Sequence, residues 1–568
     1  MVKLTPIAES ILQERYYDKD EQGNYLEDWE GLSRRVAVSI ATEEGKYGEN
    51  ADEYAELFYD ALLNMDFMPN TPCLMNAGSR GGLRLLSACF VQVPDDSLDS
   101  IMQHAWHSAK LFQAGAGVGY NFSNLRSNQE FVKTAMRKSS GSISFMKNIF
   151  NSVGEVVKQG GRRRAAMMGL LEPDHPEIQD FIEFKNNDGE NNPLANFNIS
   201  IFASDDFMRS VEKKRLWALR ARTSGDITSL VGARDLFDKM IQNNWAMAEP
   251  GMIWSDSINN HNPLLKSWGP IRCVNPCGEA TLYNYENCCL GSVNLANHVT
   301  ADGIDWVKLA RTVRLGIRFL DDVVDANVHV APEFSLASLS TRRIGLGVTG
   351  FADLLVELGA VYGSEHSFDI AHDLASFIAD ESLEASKQLA EIKGPYPAWE
   401  GSWHQEKGLK LRNVSGLAIA PEGSRSLLTN TSASIEPNFG REIVRTSNGI
   451  GSGTWKHRLA DNKSFVTSTE VPLAGHIKMQ AVWQEEMNRH MFGQSISKTI
   501  TAPNSITTDE LGEAYLEAWR LGCKGFTTYR DGSRDGVYYE KKDEEIRDES
   551  GRLVEACATG ACDIGMEK

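Results

Sequence analysis

Cys277 sits in the pentad Asn275-Pro276-Cys277-Gly278-Glu279, with an amide two residues before it and a carboxylate two residues after. In an extended segment side chains alternate with a period of two, so Asn275, Cys277 and Glu279 project from one face. A redox-active sulfur, a hydrogen-bonding amide and a general base would then meet one ligand. Asn-Pro and Cys-Gly are also turn formers, and a lone cysteine commonly does no more than fill a core, so the pentad by itself leaves both readings open. Cys288 and Cys289 follow closely. Adjacent cysteines seldom bond each other, and Cys89, far upstream in LSACF, is a candidate partner for one of them. Cys273 and Cys277 are spaced CxxxC with no histidine before His298, a poor zinc pattern. Cys557 and Cys562 lie in a terminal stretch that is charged and poor in aromatics. A dithiol on such an arm suits exchange with a buried disulfide; the same stretch also reads as an inert tail.

The elements that must position these groups are legible in outline. Residues 52–67 carry Leu57, Phe58, Ala61, Leu62 and Met65 on what reads as one helical face. Residues 68–96 read as a loop entering a strand near Cys89. Gly115, Gly117 and Gly119 alternate, which permits close backbone approach to something. Residues 142–159 and 305–326 read as helices, 196–203 as a strand and 234–249 as a helix. The alternation favours α/β architecture.

Composition narrows the class. The chain has 568 residues, 42% hydrophobic and 24% charged, which excludes global disorder. A net charge of −19 disfavours nucleic acid and anionic lipid as partners. No stretch approaches the ~18 consecutive apolar residues of a membrane span. Nine cysteines in a chain that opens on MVKLTPIAES, without a signal-like apolar run, point to a reducing cytoplasm, or a host cytoplasm for a viral protein.

NPCGE with a cysteine eleven positions after Cys277, LSACF, MPNTPCLMNAG, KQGGRRRAAMMG, RRIGLGVTGFADLL and GCKGFTTYRDGSR together resemble ribonucleotide reductase large subunits, in the family order, from about residue 5 to the last cysteine. NPCGE and GCKG…YRDGSR resemble the adenosylcobalamin-dependent class II enzymes; ribonucleoside diphosphates are the expected substrates, with triphosphates left open by the loop PEGSRS. The resemblance implies a ten-stranded α/β barrel of two five-stranded halves with a central finger loop. It implies an N-terminal helical region over 1–85, the barrel with its effector loops over 86–540, and a flexible redox-active tail over 541–568. Cys277 would be the thiyl radical that takes the 3′ hydrogen of the ribose, Glu279 the base for the 3′-hydroxyl and Asn275 a ribose ligand. Cys89 and Cys288 would be the dithiol that becomes a disulfide. Cys557 and Cys562 would re-reduce it and be recycled by thioredoxin or a glutaredoxin-like protein. The cofactor would be adenosylcobalamin, with no metal bound directly by the chain.

Substrate phosphates would lie on Thr71, Ser87, Ala88 and Gly117 and on Gly423, Ser424 and Ser426 of the loop PEGSRS. That loop departs from the family's PTGTIS, with Glu422 for a threonine and Arg425 for an apolar residue. A carboxylate beside phosphate is repulsive, and Arg425 is placed to compensate. Lys158, Gln159, Arg162 and Arg163 match the loop that senses a dNTP or ATP specificity effector, at the interface of an expected homodimer. The sequence opens on residues resembling the helical domain, so neither an ATP-cone-like module nor its on/off activity switch is expected.

Three rivals are weighed against this. A class I large subunit, which needs a small radical-generating partner, usually has a Tyr-Tyr pair where this chain has Thr528-Tyr529; its CATGACDIG tail does look class I-like. A nicotinamide enzyme would use Gly345-Leu-Gly-Val-Thr-Gly350 as GxGxxG, but the preceding SLASLSTRR is too polar for the required buried strand. A catalytically dead nucleotide sensor would have lost some of Asn275, Cys277, Glu279, Cys89 and Cys288, and all five are present.

Overall fold

The computed structural model describes residues 4–81, 84–157, 166–185, 197–445, 453–531, 533 and 538–540, with the backbone alone at 443–445, 453–455 and 538–540. Its centre is a twelve-stranded sheet. The strands are β1 Phe67–Pro69, β2 Cys89–Gln92, β3 Gly117–Asn121, β4 Met167–Leu171, β5 Phe197–Ala203 and β6 Gly251–Trp254. They continue as β7 Asn287–Asn294, β8 Ile344–Thr349, β9 Leu417–Ile419, β10 Gly493–Ile496, β11 Thr499–Ala502 and β12 Gly525–Arg530. Their order is β10-β9-β8-β7-β2-β3-β4-β5-β6-β12-β11, with β1 added on β7.

Strand direction divides this path into two halves. β2 through β6 run parallel to one another, as do β7 through β10 and the pair β11–β12. The halves meet antiparallel at β2–β7 and β6–β12. The end strands β10 and β11 are separated in sequence only by Ser497 and Lys498. Two residues span at most about 7 Å, so the edges of the sheet are brought together by the chain itself. Counted as one interrupted strand, β10–β11 makes the second half five-stranded and the path ten-membered. Among the described residues no ladder joins β10 to β11, so hydrogen bonds do not close this path into a ring.

Parallel strands are covered on both faces and read as near-continuous apolar runs, and β4, β6, β7 and β8 are buried throughout. Helices supply the outer cover. α1 Trp29–Ala41 is capped by Asp28, whose carboxylate accepts from the Gly31 amide, and buries Trp29, Leu32, Val36 and Ile40. α2 Ala51–Leu63 packs on it and buries Phe58, Ala61 and Leu62. Leu57 does not share that face: it is 43% exposed, and Ala55 and Tyr59 are buried instead, so the apolar stripe expected over 52–67 is rotated. The helix also stops at Leu63, before Met65 enters a left-handed conformation at φ 55°. α3 Thr71–Asn76 is a short helix in the stretch expected to be loop, capped by the Asn70 carboxamide on the Cys73 amide at 2.9 Å. α4 Leu98–Gln113, α5 Trp306–Ala326, α6 Glu365–Lys393 and α7 Gly423–Thr429 complete the elements used below.

Asp321, Asp322 and Asp325 of α5 approach one another closely enough to suggest a cation site. Protein cations already occupy them: Arg342 bonds Asp321 and Asp325, Arg412 bonds Asp321, and Lys393 bonds Asp322 and Glu44. Arg318 also bonds Glu44, so this buried network ties the N-terminal helical region to α5 and α6. No helix among the described residues is long and apolar enough to cross a membrane.

Candidate active site

The pentad lies on a hairpin inside the sheet's curve. Cys273–Val274 and Thr281–Leu282 pair antiparallel, and Cys273, Val274, Ala280 and Leu282 share one buried apolar cluster with Cys89, Leu170, Phe202, Ile253, Cys288, Leu290 and Ala418. Six barrel strands therefore converge on this finger. Two glycines of β3 make room for it. A Cβ on Gly119 would lie 1.8 Å from the Val274 carbonyl oxygen, and one on Gly117 would lie 3.0 Å from Pro276. These two glycines thus admit the finger, Gly119 beside the Val274 carbonyl and Gly117 beside Pro276.

The finger turns tightly at its tip. The Gly278 amide donates to the Asn275 carbonyl at 3.0 Å, with Gly278 at φ 84°. The Asn275 side chain has two tasks: its Oδ1 accepts from the Ala280 amide at 2.9 Å, and its Nδ2 donates to Cys89 Sγ at 3.0 Å. Of the seven described cysteines, all thiols, Cys277 at the tip is half-buried and the other six are buried. The thiol that would have to meet an outside radical source is the reachable one.

Cys89 and Cys288 are opposed residues in the β2–β7 ladder. Gln494 on β10 donates its Nε2 to Cys288 Sγ at 3.3 Å. Burial pushes the Cys288 thiol well up, and the Gln494 amide opposes that shift. Gly345 of β8 leaves space for the same sulfur, since a Cβ there would lie 3.2 Å from Cys288 Sγ and 2.6 Å from Ala418 Cβ. Gly345 and Gly347 are thus strand residues facing inward, and the GxGxxG pattern is satisfied without a phosphate-binding turn. Cys289 points the other way, to Ser87 Oγ at 3.4 Å.

Glu279 is buried, and burial raises its carboxyl to about 7, against the lowering effect of the Asn275 amide. Its Oε2 has no hydrogen-bond partner. A buried acid poised near neutrality, with one oxygen unengaged and a thiol two residues away, can exchange a proton with a ligand hydroxyl.

The other residues singled out are distributed around this centre. Thr71 opens α3, with its hydroxyl 3.0 Å from Tyr16 Oη. The Ser87 hydroxyl accepts from Asn287 Nδ2 at 2.6 Å and Asn327 Nδ2 at 2.7 Å. The Ala88 carbonyl accepts from the Gly117 amide at 2.8 Å. Gly423 and Ser424 open α7, while Ser426 spends its hydroxyl on the Gly423 carbonyl at 3.0 Å. Glu422 adopts φ 56° and turns inward, accepting from Ser292 Oγ and from Arg425 Nη2, the latter at 2.5 Å. Arg425 also donates to the Met68 carbonyl at 3.3 Å, which brings the starts of α3 and α7 together. The two departures from the family loop therefore neutralise each other inside the protein. Lys158, Gln159, Arg162, Arg163, Cys557 and Cys562 lie outside the described residues.

A cavity of about 110 Å³ lies against α7, and Gly423 and Ser426 of that helix are among its lining residues. Ile7, Leu427 and Phe439 give it apolar walls, and Asn438 and Ser468 line it with a buried Nδ2 and Oγ that have no partner. Sequence reasoning did not single out this cavity, Gln494 or the role of Gly345. Gln494 had no local signal, since its partner sulfur is two hundred residues earlier in the chain.

Comparison with known proteins agrees with this geometry. Residues 2–82 match the ribonucleotide reductase all-alpha domain, and residues 87–411 and 405–529 match the ribonucleotide reductase barrel domain. A vitamin B12-dependent ribonucleoside-diphosphate reductase of Thermoplasma acidophilum is 36% identical, over 99% of this chain and 77% of the relative. One from Mycobacterium tuberculosis is 36% identical over 94% of this chain and 80% of its own length. A ribonucleoside-diphosphate reductase subunit alpha of Chlamydia pneumoniae is 29% identical over 92% of this chain and 51% of its own length.

Proposed function

The chain belongs to the ribonucleotide reductase large-subunit family, and we propose that it reduces ribonucleoside diphosphates to 2′-deoxyribonucleotides at the finger-loop site, as a cobalamin-dependent class II enzyme. The observation that supports this is the hydrogen bond from Asn275, on the hairpin that also bears Cys277 and Glu279, to Cys89 of the opposed pair Cys89 and Cys288. The class I alternative is not favoured, because the relatives matched over most of their length are the B12-dependent ones.

In this mechanism Cys277, as a thiyl radical, takes the 3′ hydrogen while Glu279 takes the 3′-hydroxyl proton. The 2′-hydroxyl then leaves as water, protonated from the Cys89–Cys288 pair. Two electrons pass from the dithiol to the sugar and a disulfide remains. Cys277 recovers its radical when it returns hydrogen to the 3′ carbon. The barrel interior keeps water from the radical. Adenosylcobalamin, if bound, would supply the one-electron chemistry that makes Cys277 a thiyl radical. The half-buried Cys277 is compatible with an outside radical source.

Phosphates are proposed to sit between the starts of α3 and α7, on Thr71, Gly423 and Ser424. Cys557 and Cys562 are proposed to relay electrons from a thioredoxin-like protein in a reducing cytoplasm. Lys158, Gln159, Arg162 and Arg163 are proposed to read a nucleotide effector. A homodimer is proposed through α4, whose Leu98, Met102 and Trp106 recur every fourth residue and are 66%, 49% and 53% exposed. The test is an assay of the purified chain alone with adenosylcobalamin, a small dithiol, and CDP or CTP. Deoxycytidine diphosphate formed without a second subunit is expected. Activity only after addition of a metal-containing subunit would overturn the class, and preference for CTP would overturn the diphosphate assignment.

A further inference from the structure

Each sulfur of the opposed pair receives one side-chain amide. Asn275 Nδ2 donates to Cys89 Sγ at 3.0 Å, and Gln494 Nε2 donates to Cys288 Sγ at 3.3 Å. The orientation of the Gln494 amide follows from a second bond. Its Nε2 also donates to the Ile344 carbonyl at 3.0 Å, and a carbonyl can only accept, so the nitrogen rather than the oxygen faces the sulfur. Gln494 is held from behind as well. Its backbone carbonyl accepts from Lys524 Nζ at 2.7 Å and from Gln484 Nε2 at 3.0 Å. Gln494 is buried, and its Oε1 has no partner, so the side chain is placed for its nitrogen.

The two sulfurs differ in access. Cys89 is 8% exposed and Cys288 is fully enclosed, with Gly345, Leu290 and Gln494 around its sulfur. A thiolate attacking a disulfide needs access to one sulfur and a stabilised leaving group on the other. Here both sulfurs hold an amide donor and differ in access: Cys89 is the accessible one and Cys288 the enclosed one.

We propose that Gln494 is a positioning residue of the dithiol, and that its N–H makes Cys288 the sulfur that leaves as thiolate when a reducing dithiol opens the Cys89–Cys288 disulfide. The inference rests on the reductase function proposed above. In the first step a thiolate of the reductant bonds to Cys89 Sγ, the sulfur–sulfur bond breaks, and the electron pair goes to Cys288 Sγ. Cys288 takes a proton released by the reductant. In the second step the reductant's other thiolate attacks its own linked sulfur and releases Cys89, which Asn275 receives. Two electrons and two protons pass from the reductant, which ends as its own disulfide.

The test uses the full chain carrying Cys557→Ser and Cys562→Ser, oxidised at Cys89–Cys288, so that the tail thiols cannot rearrange the products. It is opened with 2-mercaptoethanol, quenched with iodoacetamide and mapped by peptide mass. The expected product carries mercaptoethanol on Cys89 and the alkyl group on Cys288. Gln494→Leu should slow opening by dithiothreitol about tenfold, the scale of a hydrogen bond to a charged group, and spread the adduct over both sulfurs. Gln494→Glu, which presents an acceptor to the sulfur, should slow it further. An adduct on Cys288 in the parent chain overturns the proposal even if neither Gln494 variant folds. Opening of the Leu variant at the parent rate, with the adduct still on Cys89, also overturns it. Failure to form the disulfide at all would remove both this proposal and the reductase mechanism. Turnover of the unmodified chain with dithiothreitol tests that mechanism separately.

Discussion

Cys89 and Cys288 face each other directly across the antiparallel junction of β2 with β7. Opposed residues in such a ladder have Cα atoms about 4.5–5.5 Å apart, inside the roughly 4.4–6.8 Å range of disulfides. The pair can therefore cycle between thiols and disulfide while both strands stay where they are. The sheet supplies the geometry, and the Asn275 and Gln494 amides supply the polarity.

Replacing Cys277 by serine keeps the shape of the fingertip and removes the one-electron chemistry. Cys277→Ser should form no measurable deoxynucleotide while nucleotide binding, followed by calorimetry, stays within about twofold of the parent. Turnover by this variant would remove Cys277 from the radical step.

Burial raises the Glu279 carboxyl to about 7. It is protonated below that pH and ionised above it, so a base role requires kcat/KM to rise with pH and level off above neutrality. Glu279→Gln should lower kcat/KM by about 10²-fold or more and abolish that rise. A pH profile unchanged by the substitution would assign the titration elsewhere.

Gly119→Ala places a Cβ 1.8 Å from the Val274 carbonyl, a backbone atom that cannot step aside. The finger must move or the strand must bend. The variant should lose more than about 3 kcal/mol of stability in urea titration, and its Cys277 should react faster with a thiol reagent.

The Glu422–Arg425 pair is buried with the carboxylate on Ser292 and the guanidinium on Met68. Removing one partner strands the other, so Glu422→Thr alone should cost about 3–5 kcal/mol. Glu422→Thr with Arg425→Ile should recover most of that loss. A double variant no more stable than the single one would show that the pair is not a unit.

Cys557→Ser with Cys562→Ser should permit about one turnover per site with thioredoxin and normal turnover with a small dithiol, which enters the barrel without an arm. Rapid-quench product counts distinguish the two. Undiminished thioredoxin-driven turnover would take the tail out of the circuit.

Much of the site was legible because its residues lie in short local patterns. Asn275, Cys277 and Glu279 share one hairpin, and alternate glycines on β3 announced a close approach whose partner proved to be that hairpin. Strand and helix types followed from periodicity over 197–203, 233–247 and 306–326. What was hidden depended on contacts between distant segments. Leu57 has the right spacing for the core, but α1 covers a neighbouring face of α2. The Ser87 hydroxyl is claimed by Asn287 and Asn327, neither of them near it in sequence. Gly345 leaves room for the Cys288 sulfur, which lies on a different strand and so gave no local signal.

The strand order has a consequence for synthesis. β12, at residues 525–530, is the last barrel strand to leave the ribosome, yet it belongs between β6 and β11. Until it arrives, the edge of β6 at Met252 and Ile253 has no antiparallel neighbour. A nascent chain must carry that apolar edge through the translation of more than two hundred further residues, a period when unpaired strand edges invite association. Newly made chains are therefore most vulnerable just before completion, and a protein stopped short of residue 525 should be found in aggregates or bound to chaperones.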